Sequence, residues 1–267
     1  MTDVQSGAFS RQHQAIQQEY RQQAPRWGKM EIGEHLRWVV EQLPLSPQSE
    51  VVDIAAGTGL FGRAVAAGVA RVTAVDITPE MIEQGRQRAQ QDGILNMEWQ
   101  QGEAEALPFA DERFDFAITR YSIHHFVDPA AVLKEMGRVC RPGGLVVAVD
   151  MVSDEDPLVA ARHDALETVI DSTHTSILSP SRMVQAAADA GLTVRAYLSR
   201  DVPMNFDLWQ AHIPADSEVR LTVRRALEAE LAGGDKTGMR PYVRDGALWF
   251  MHVWGVLLAG KGHRGLH

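Results

Sequence analysis

The sequence predicts an α/β fold with a doubly wound, mostly parallel sheet of seven strands and helices on both faces. Three observations support this prediction. Short β-branched segments alternate with helical segments from about residue 50 to residue 151. A glycine-rich turn follows the first of these segments. The composition, 45% hydrophobic and 23% charged over 267 residues, is typical of a globular protein with a sizeable core. Helical additions are predicted at both ends of the chain.

Two polar helices are predicted before the first strand. The segment RQHQAIQQEYRQQAPRW is rich in glutamine, and EIGEHLRWVVEQL spaces its apolar residues with a helical period. Pro44 and Pro47 end the second helix. We expect residues 1–48 to form a helical lid over a ligand site in the rest of the chain, with Tyr20, Arg26 and Trp27 facing that site.

Five strands and the helices between them form the alternating segment. Their sequences are EVVDIA, RVTAVDI, ILNMEWQQG, RFDFAITRY and LVVAVDM. The helix GLFGRAVAAG follows the first strand. Thr78 caps the next helix, which has Pro79 in its first turn, and Asp128 and Pro129 begin a further helix in the same way. The turn 142–144, Pro-Gly-Gly, leads into strand five.

Helices are more frequent after residue 151. PLVAARHDALETVI and SPSRMVQAAADAG are predicted helices, the second capped by Ser179 or Ser181 and ended by Gly191. The strand LTVRAYLS, the helical segment DSEVRLTVRRALEAELAGG and the strand ALWFMHVWGVLLAG follow. We therefore expect one domain over residues 49–267, with a ligand-binding half at 49–151 and a substrate-shaping half at 152–267.

Composition excludes several kinds of protein. The formal net charge of −9 at pH 7 argues against nucleic acid or an anionic membrane as the main partner. The single cysteine, Cys140, rules out an intrachain disulfide framework and a cysteine-rich metal site, and we expect it to pack at the end of a helix. No apolar run reaches the roughly 18 to 20 residues of a membrane span, and no signal-peptide core is present. We therefore expect a cytoplasmic protein.

The turn after the first strand is the strongest functional signal. Residues 57–62, Gly-Thr-Gly-Leu-Phe-Gly, match the G-x-G-x-x-G pattern of dinucleotide-binding turns, in which small residues let the backbone approach a ligand. Asp76 ends the second strand about 20 residues later, where a carboxylate can accept hydrogen bonds from both hydroxyls of a ribose. Together they predict an adenosine-containing ligand.

Three features argue against a nicotinamide dinucleotide as that ligand. Asp53, in the first strand, would repel a diphosphate and attract an ammonium group, directly or through a water. Glu103, after the third strand, is placed to accept a hydrogen bond from an adenine amino group, with the Ala104 backbone beside the ring. About fifty residues precede the first strand, whereas dinucleotide-binding domains often begin near it.

Four segments resemble one family. VVDIAAGTG, VTAVDITPEMIEQGRQRA, QGEAEALPFADERFDFAITRYSIHHFVDP and EMGRVCRPGGLVVAVD, in this order, are similar to the class I S-adenosylmethionine-dependent methyltransferases of Rossmann-like fold. Within that class they resemble the type 11 group related to ubiquinone and menaquinone biosynthesis. The resemblance covers about residues 50–151. One departure is Ala55-Ala56, where many relatives carry Gly-Cys; because both alanines are small, we expect the turn to close normally and Gly62 to permit close helix–sheet packing.

The resemblance implies that S-adenosylmethionine is the cofactor and that specific residues bind it. Asp53 and the backbone of Ala55, Gly57 and Gly59 would hold the methionine moiety, and we expect Tyr20 to reach its carboxylate. The other implied positions are Asp76 for the ribose; Ile77, Met81, Glu103 and Ala104 for the adenine; and the backbone of Thr119 and Arg120 beside the methyl group.

Methyl transfer from a sulfonium is an in-line displacement, in which the cofactor supplies the electrophile and the protein mainly aligns the acceptor. A general base is needed only if the acceptor arrives protonated. Candidate catalytic residues lie in TRYSIHHF, after the fourth strand: His124, His125 and, more weakly, Tyr121. Neighbouring histidines should point differently, so we expect one of them to face the substrate. No metal site is predicted. His174, in DSTHTSILSP, is expected to shape the substrate pocket.

Other functions remain open at this point. The same fingerprint is compatible with an NAD(P)-dependent oxidoreductase, with a non-catalytic cofactor-binding protein, and with a cyclisation or other displacement at the same sulfonium. The expected partner is a small-molecule substrate rather than nucleic acid or membrane. Whether its acceptor atom is O, N, C or S, and whether the protein is a homodimer, the sequence leaves undecided.

Overall fold

The computed structural model describes residues 3–211, 213–214 and 216–261, with side chains from residue 7 onward. The outermost ends of the predicted lid and domain, residues 1–2 and 262–267, lie outside this range. Among the helices of the described ranges, none combines the length and the apolar character needed to cross a membrane.

A mixed β-sheet forms the centre of the fold. Its strands are β1 (Glu50–Ile54), β2 (Arg71–Asp76), β3 (Met97–Gln101), β4 (Phe114–Arg120), β5 (Cys140–Met151), β6 (Thr193–Asn205), β7 (Tyr242–Arg244) and β8 (Ala247–Gly260). Seven of them follow the order β3-β2-β1-β4-β5-β8-β6. Strands β1 to β5 are parallel, and β8 is antiparallel to β5 and β6. The predicted fold class is therefore confirmed.

One strand was not predicted. In the described part of the chain the sheet has eight strands, because β7 pairs with the beginning of β8. Three residues are too few to show the alternation of apolar and polar side chains that identifies a strand in a sequence. This short strand lies beyond the path of the seven predicted strands and does not alter their order.

The helices lie between and beside these strands. They are α1 (Asp3–Trp27), α2 (Glu34–Glu41), α3 (Leu60–Val65), α4 (Pro79–Gln91), α5 (Pro129–Val139), α6 (Pro157–Ile170), α7 (Pro180–Asp189), α8 (Phe206–Trp209) and α9 (Glu218–Leu231). Asp128 caps α5 as predicted, since its carboxylate accepts from the Ala131 N–H at 3.0 Å. Thr78 and Ser179 occupy the N-cap positions of α4 and α7, but neither side chain makes a cap hydrogen bond.

Helices cover both faces of the sheet because its central strands carry apolar residues on both faces. In β1, Val52 and Ile54 belong to the core on the α5 and α7 side. Val51 belongs to the core on the α2 and α3 side, together with Phe61 and Ile118. Successive side chains of a strand point to opposite faces, so a sheet with two buried faces needs apolar residues at both sets of positions.

Two glycines let α3 lie close to the sheet. A Cβ at Gly62 would lie 3.0 Å from Asp53 Oδ2, which agrees with the packing role predicted for this residue. Gly59, the N-cap of α3, has φ +68°, and a Cβ there would lie 2.5 Å from Trp99 Cη2. Gly59 therefore combines a left-handed backbone with a contact that admits no side chain.

We expect Gly59→Ala to lower the free energy of unfolding by about 2–4 kcal/mol, the sum of left-handed strain and overpacking against Trp99. Gly143 is the matched control, because its φ is +86° and, apart from its chain neighbours, no described residue has an atom within 4 Å of its Cβ position. Gly143→Ala should cost only about 1–2 kcal/mol, from the backbone alone. Urea unfolding midpoints measure both changes, and equal losses would contradict the packing argument.

Candidate functional site

A cavity lies at the carboxyl ends of β1, β2 and β4, where parallel sheets place their ligands. Its empty volume is about 980 Å³, a figure that includes open space at the mouth. Helix α1 contributes several side chains to its wall. The predicted site residues that line it are Tyr20, Ala55, Gly57, Asp76, Ile77, Met81, Ala104, Arg120, Tyr121 and His125.

Other predicted site residues lie outside this lining: Asp53, Gly59, Glu103, Thr119 and His124. Thr119 joins β4 to β1, because its hydroxyl donates to the Ile54 carbonyl at 2.7 Å. Ala55 and Tyr121, at the ends of β1 and β4, have positive φ values of 50° and 54°. Strained backbone of this kind in non-glycine residues clusters at functional sites.

The buried Asp76 carboxylate organises the glycine-rich turn. It accepts from the Gly57 N–H at 2.6 Å and from the Thr78 N–H at 2.8 Å. Burial raises the pKa of Asp76 above its ordinary value, although these N–H groups favour the ionised form. Each carboxylate oxygen can accept more than one hydrogen bond, so acceptor capacity remains for two ligand hydroxyls.

Asp53 acts on the backbone rather than in the cavity wall. Its carboxylate is 1% exposed and accepts from the Gly62 N–H at 2.8 Å, which holds α3 against β1. Burial raises its pKa to about 7, and the nearby charge of Asp76 adds to this effect, whereas the Gly62 N–H and the Arg120 charge oppose it. Asp53 is therefore a second buried acid within electrostatic reach of the ligand site.

The wall beside Ile77 contains an acid that the sequence analysis missed. Glu105 lines the cavity and lies 3.2 Å from Nε2 of His13, on α1. Glu103, which was expected to read the adenine edge, is exposed and lies 3.7 Å from Nδ1 of the same histidine. The hydrogen bond with Glu105 raises the pKa of His13 despite partial burial. The sequence did offer a signal for Glu105, because QGEAEALPF contains two acids, Glu103 and Glu105, and either could face a ligand.

Side-chain hydrogen bonds anchor helix α1 across the cavity. Gln12 donates to the carbonyls of His125, at 3.0 Å, and Thr173, at 2.7 Å. Gln17 donates to the Ile77 carbonyl at 2.8 Å. The Tyr20 hydroxyl donates to Asp171 at 3.1 Å and lies 2.9 Å from Nε2 of His125. These bonds join α1 to both sides of the cavity.

The two adjacent histidines have different surroundings, as predicted. His125 lies between two polar groups: its Nε2 is 2.9 Å from the Tyr20 hydroxyl, and its Nδ1 is 3.1 Å from the Thr173 carbonyl. Burial, together with the charge of His124, lowers the pKa of His125 to about 4. His125 is therefore a neutral wall residue that secures α1.

His124 pairs with a buried acid. Its Nδ1 lies 2.7 Å from Asp150 Oδ1, whereas its Nε2 makes no hydrogen bond to any residue that the structure describes. Burial lowers the pKa of His124, but the Asp150 carboxylate outweighs this effect and leaves the pKa above its ordinary value. His174 stacks on His124 at 5.6 Å between ring centroids, so the residue expected to shape the substrate pocket lies beside this pair.

Sequence comparison relates the chain to methyltransferases. Residues 52–148 match the family described as Methyltransferase domain. YcgJ of Bacillus subtilis, described as an uncharacterized methyltransferase, is 31% identical over 191 residues, which are 71% of this chain and 76% of YcgJ. The ubiquinone/menaquinone biosynthesis C-methyltransferase UbiE of Roseobacter denitrificans is 32% identical over 141 residues, 51% of this chain and 56% of that protein.

Solved structures share the same architecture. The crystal structure of YcgJ from Bacillus subtilis superimposes with a TM-score of 0.76 at 25% identity, covering 86% of this chain and 99% of YcgJ. The [4+2]-cyclase SpnF has a TM-score of 0.62 at 19% identity, covering 85% and 80% of the two chains. The second likeness concerns the fold alone. The region that matches the family contains β1, β2 and β4, whose ends form the cavity.

Proposed function

Because the chain belongs to the class I S-adenosylmethionine-dependent methyltransferases, we propose that it methylates a small-molecule acceptor by in-line displacement. The observation that carries this proposal is the position of α1. This helix covers the cavity, because hydrogen bonds hold it to Ile77 on one side and to Thr173 and Asp171 on the other. An acceptor must fit beneath this helix, which favours a metabolite over a folded macromolecule.

The cavity fits the cofactor in three respects. Gly57 lines the cavity with φ +55°, a conformation that favours glycine, so no side chain stands between this backbone and a ligand. Asp76 retains acceptor capacity for ribose hydroxyls. Ile77, Met81 and Ala104 provide an apolar surface for adenine, with Glu105 beside them in the lining. In this proposal Asp53 attracts the ammonium group of the methionine tail from behind the turn.

The residues of the chain align the acceptor and accept its proton. S-adenosylmethionine, when bound, supplies the electrophilic methyl group. His124 donates its Nδ1 proton to Asp150, so Nε2 keeps a lone pair for a hydroxyl or amine acceptor. Tyr121 and His125 line the wall and position the acceptor. We assign the role of general base to His124 and the role of positioning that base to Asp150.

Labelled cofactor tests this proposal. The protein is incubated with S-adenosylmethionine carrying a trideuterated methyl group and with a cell extract divided into small molecules, protein and RNA. We expect a mass increase of a labelled methyl group in a small-molecule product, suppressed by excess S-adenosylhomocysteine. Label found only in protein or RNA would contradict the proposal. A new product without label would indicate another reaction on the same fold.

A further inference from the structure

Arg120 is the only lysine or arginine that lines the cavity within the described residues. Its Nε is buried and lacks a hydrogen-bond partner. No carboxylate of a described residue lies within 4.0 Å of its guanidinium nitrogens. A charged group held away from water is costly unless a counter-charge or hydrogen bonds compensate it. Asp53 and Asp150 act on this charge only from beyond 4.0 Å, so the guanidinium N–H groups are available for a partner from outside the described residues.

Two aromatic rings hold this guanidinium. Its central carbon lies 4.6 Å from the Tyr121 ring centroid and 5.1 Å from that of Trp254. Rings in this position stabilise the cation and fix its plane, while they offer no hydrogen-bond acceptor to its N–H groups. The N–H edge thus remains available for a planar ligand with two oxygens, the geometry that a carboxylate provides.

We propose that Arg120 binds a carboxylate inside the cavity, an inference that rests on the proposed function. Two sources can supply the group: the methionine tail of the cofactor, and an acid group on the acceptor. The position of Asp53 favours the methionine tail of the cofactor as the source. Asp53 is paired in register with Ile118, two residues before Arg120, so the Asp53 and Arg120 side chains lie on one face of the sheet. An acid and a base placed in this way complement an amino-acid zwitterion.

Tyr20, the residue predicted to reach the methionine carboxylate, is a poorer partner. Its hydroxyl already donates to Asp171 and contacts His125. The negative charge of Asp171 beside it would repel a second carboxylate. Of these two residues, Arg120 offers both the free N–H groups and the favourable charge.

Calorimetry with two nucleosides tests the cofactor source. S-adenosylhomocysteine carries the amino-acid tail, whereas 5′-methylthioadenosine lacks it. For Arg120→Met we expect S-adenosylhomocysteine affinity to fall about 10- to 100-fold, as for a lost hydrogen bond to a charged group, with 5′-methylthioadenosine affinity unchanged. Arg113→Met is the matched control, because Arg113 also lies over two rings, those of Phe109 and Phe114, but outside the cavity lining.

A second titration tests the acceptor source. Benzoate is added to the protein saturated with S-adenosylhomocysteine, and tryptophan fluorescence follows binding near Trp254. Benzoate binding that Arg120→Met abolishes, with unchanged S-adenosylhomocysteine affinity, would assign Arg120 to the acceptor. Equal losses for both nucleosides, or no dependence of either titration on Arg120, would overturn the inference. Failure of the unsubstituted protein to bind S-adenosylhomocysteine would instead contradict the proposed function.

Discussion

Asp76→Ala should remove most of the cofactor affinity and loosen the glycine-rich turn at the same time. The ribose contact alone contributes about 1–3 kcal/mol, as for hydrogen bonds to a charged group, which corresponds to a loss of roughly 5- to 150-fold. The substitution also removes the carboxylate that accepts from the Gly57 and Thr78 N–H groups. The turn is then no longer held in its binding conformation, which lowers cofactor affinity further. Calorimetry with S-adenosylhomocysteine measures the total.

Asp115→Ala separates these effects from general destabilisation. Asp115 also accepts a backbone hydrogen bond, from the Glu50 N–H at 2.8 Å, but at the opposite end of β1. Its substitution should lower the thermal midpoint without changing S-adenosylhomocysteine affinity. A 2′,3′-dideoxy analogue of 5′-methylthioadenosine isolates the ribose term, since Asp76→Ala should bind it as well as it binds the parent nucleoside. Continued preference for the parent would defeat the ribose assignment.

Substitution of His124 by alanine should lower kcat by about 10²- to 10⁴-fold, the usual contribution of a positioned general base. Cofactor affinity should change little, because the hydrogen bond of the His124 ring goes to Asp150 and not to a residue proposed to bind the cofactor. His125→Gln is the informative comparison. The ring of His125 lies between Tyr20 and Thr173, so its loss should loosen α1 and weaken cofactor binding instead. The rate of S-adenosylhomocysteine formation gives kcat, and calorimetry gives the Kd of the cofactor. His124→Ala should change the first quantity, and His125→Gln the second.

The pH dependence of kcat provides an independent test of the base. A general base acts in its deprotonated form, and the Asp150 carboxylate outweighs burial to raise the pKa of His124 above 6.5. The rate should therefore fall as the pH is lowered through this raised pKa. In Asp150→Asn the inflection should move to lower pH, because the largest of the charges that oppose burial is then lost. A rate independent of pH would exclude His124 as the base for a protonated acceptor.

The sequence is enough to bring the residues expected to bind the cofactor to one cavity, because these residues adjoin strands. Ala55, Gly57 and Asp76 immediately follow or end parallel strands, and parallel strands bring their carboxyl ends to one edge of the sheet. Glu103 was expected to contact adenine, but Glu105 is the acid that lines the cavity. The turn between Glu103 and Ala106 determines which of the two acids reaches it. A turn of this kind has no periodic signal.

The acceptor side depends on contacts between distant segments. Asp150 lies 26 residues from His124, and Gln12 of α1 lies 161 residues from Thr173. No local pattern connects such pairs, so the base and its partner could not be joined from one sequence. The short elements β7 and α8 escaped prediction for a different reason: each has too few residues to show a period.

The anchoring of α1 also has a kinetic consequence. Exchange of spent for fresh cofactor through the side that α1 covers requires the bonds from Gln12, Gln17 and Tyr20 to break. We therefore expect turnover and ligand residence time to depend on α1, a helix distant along the chain from the glycine-rich turn that it covers.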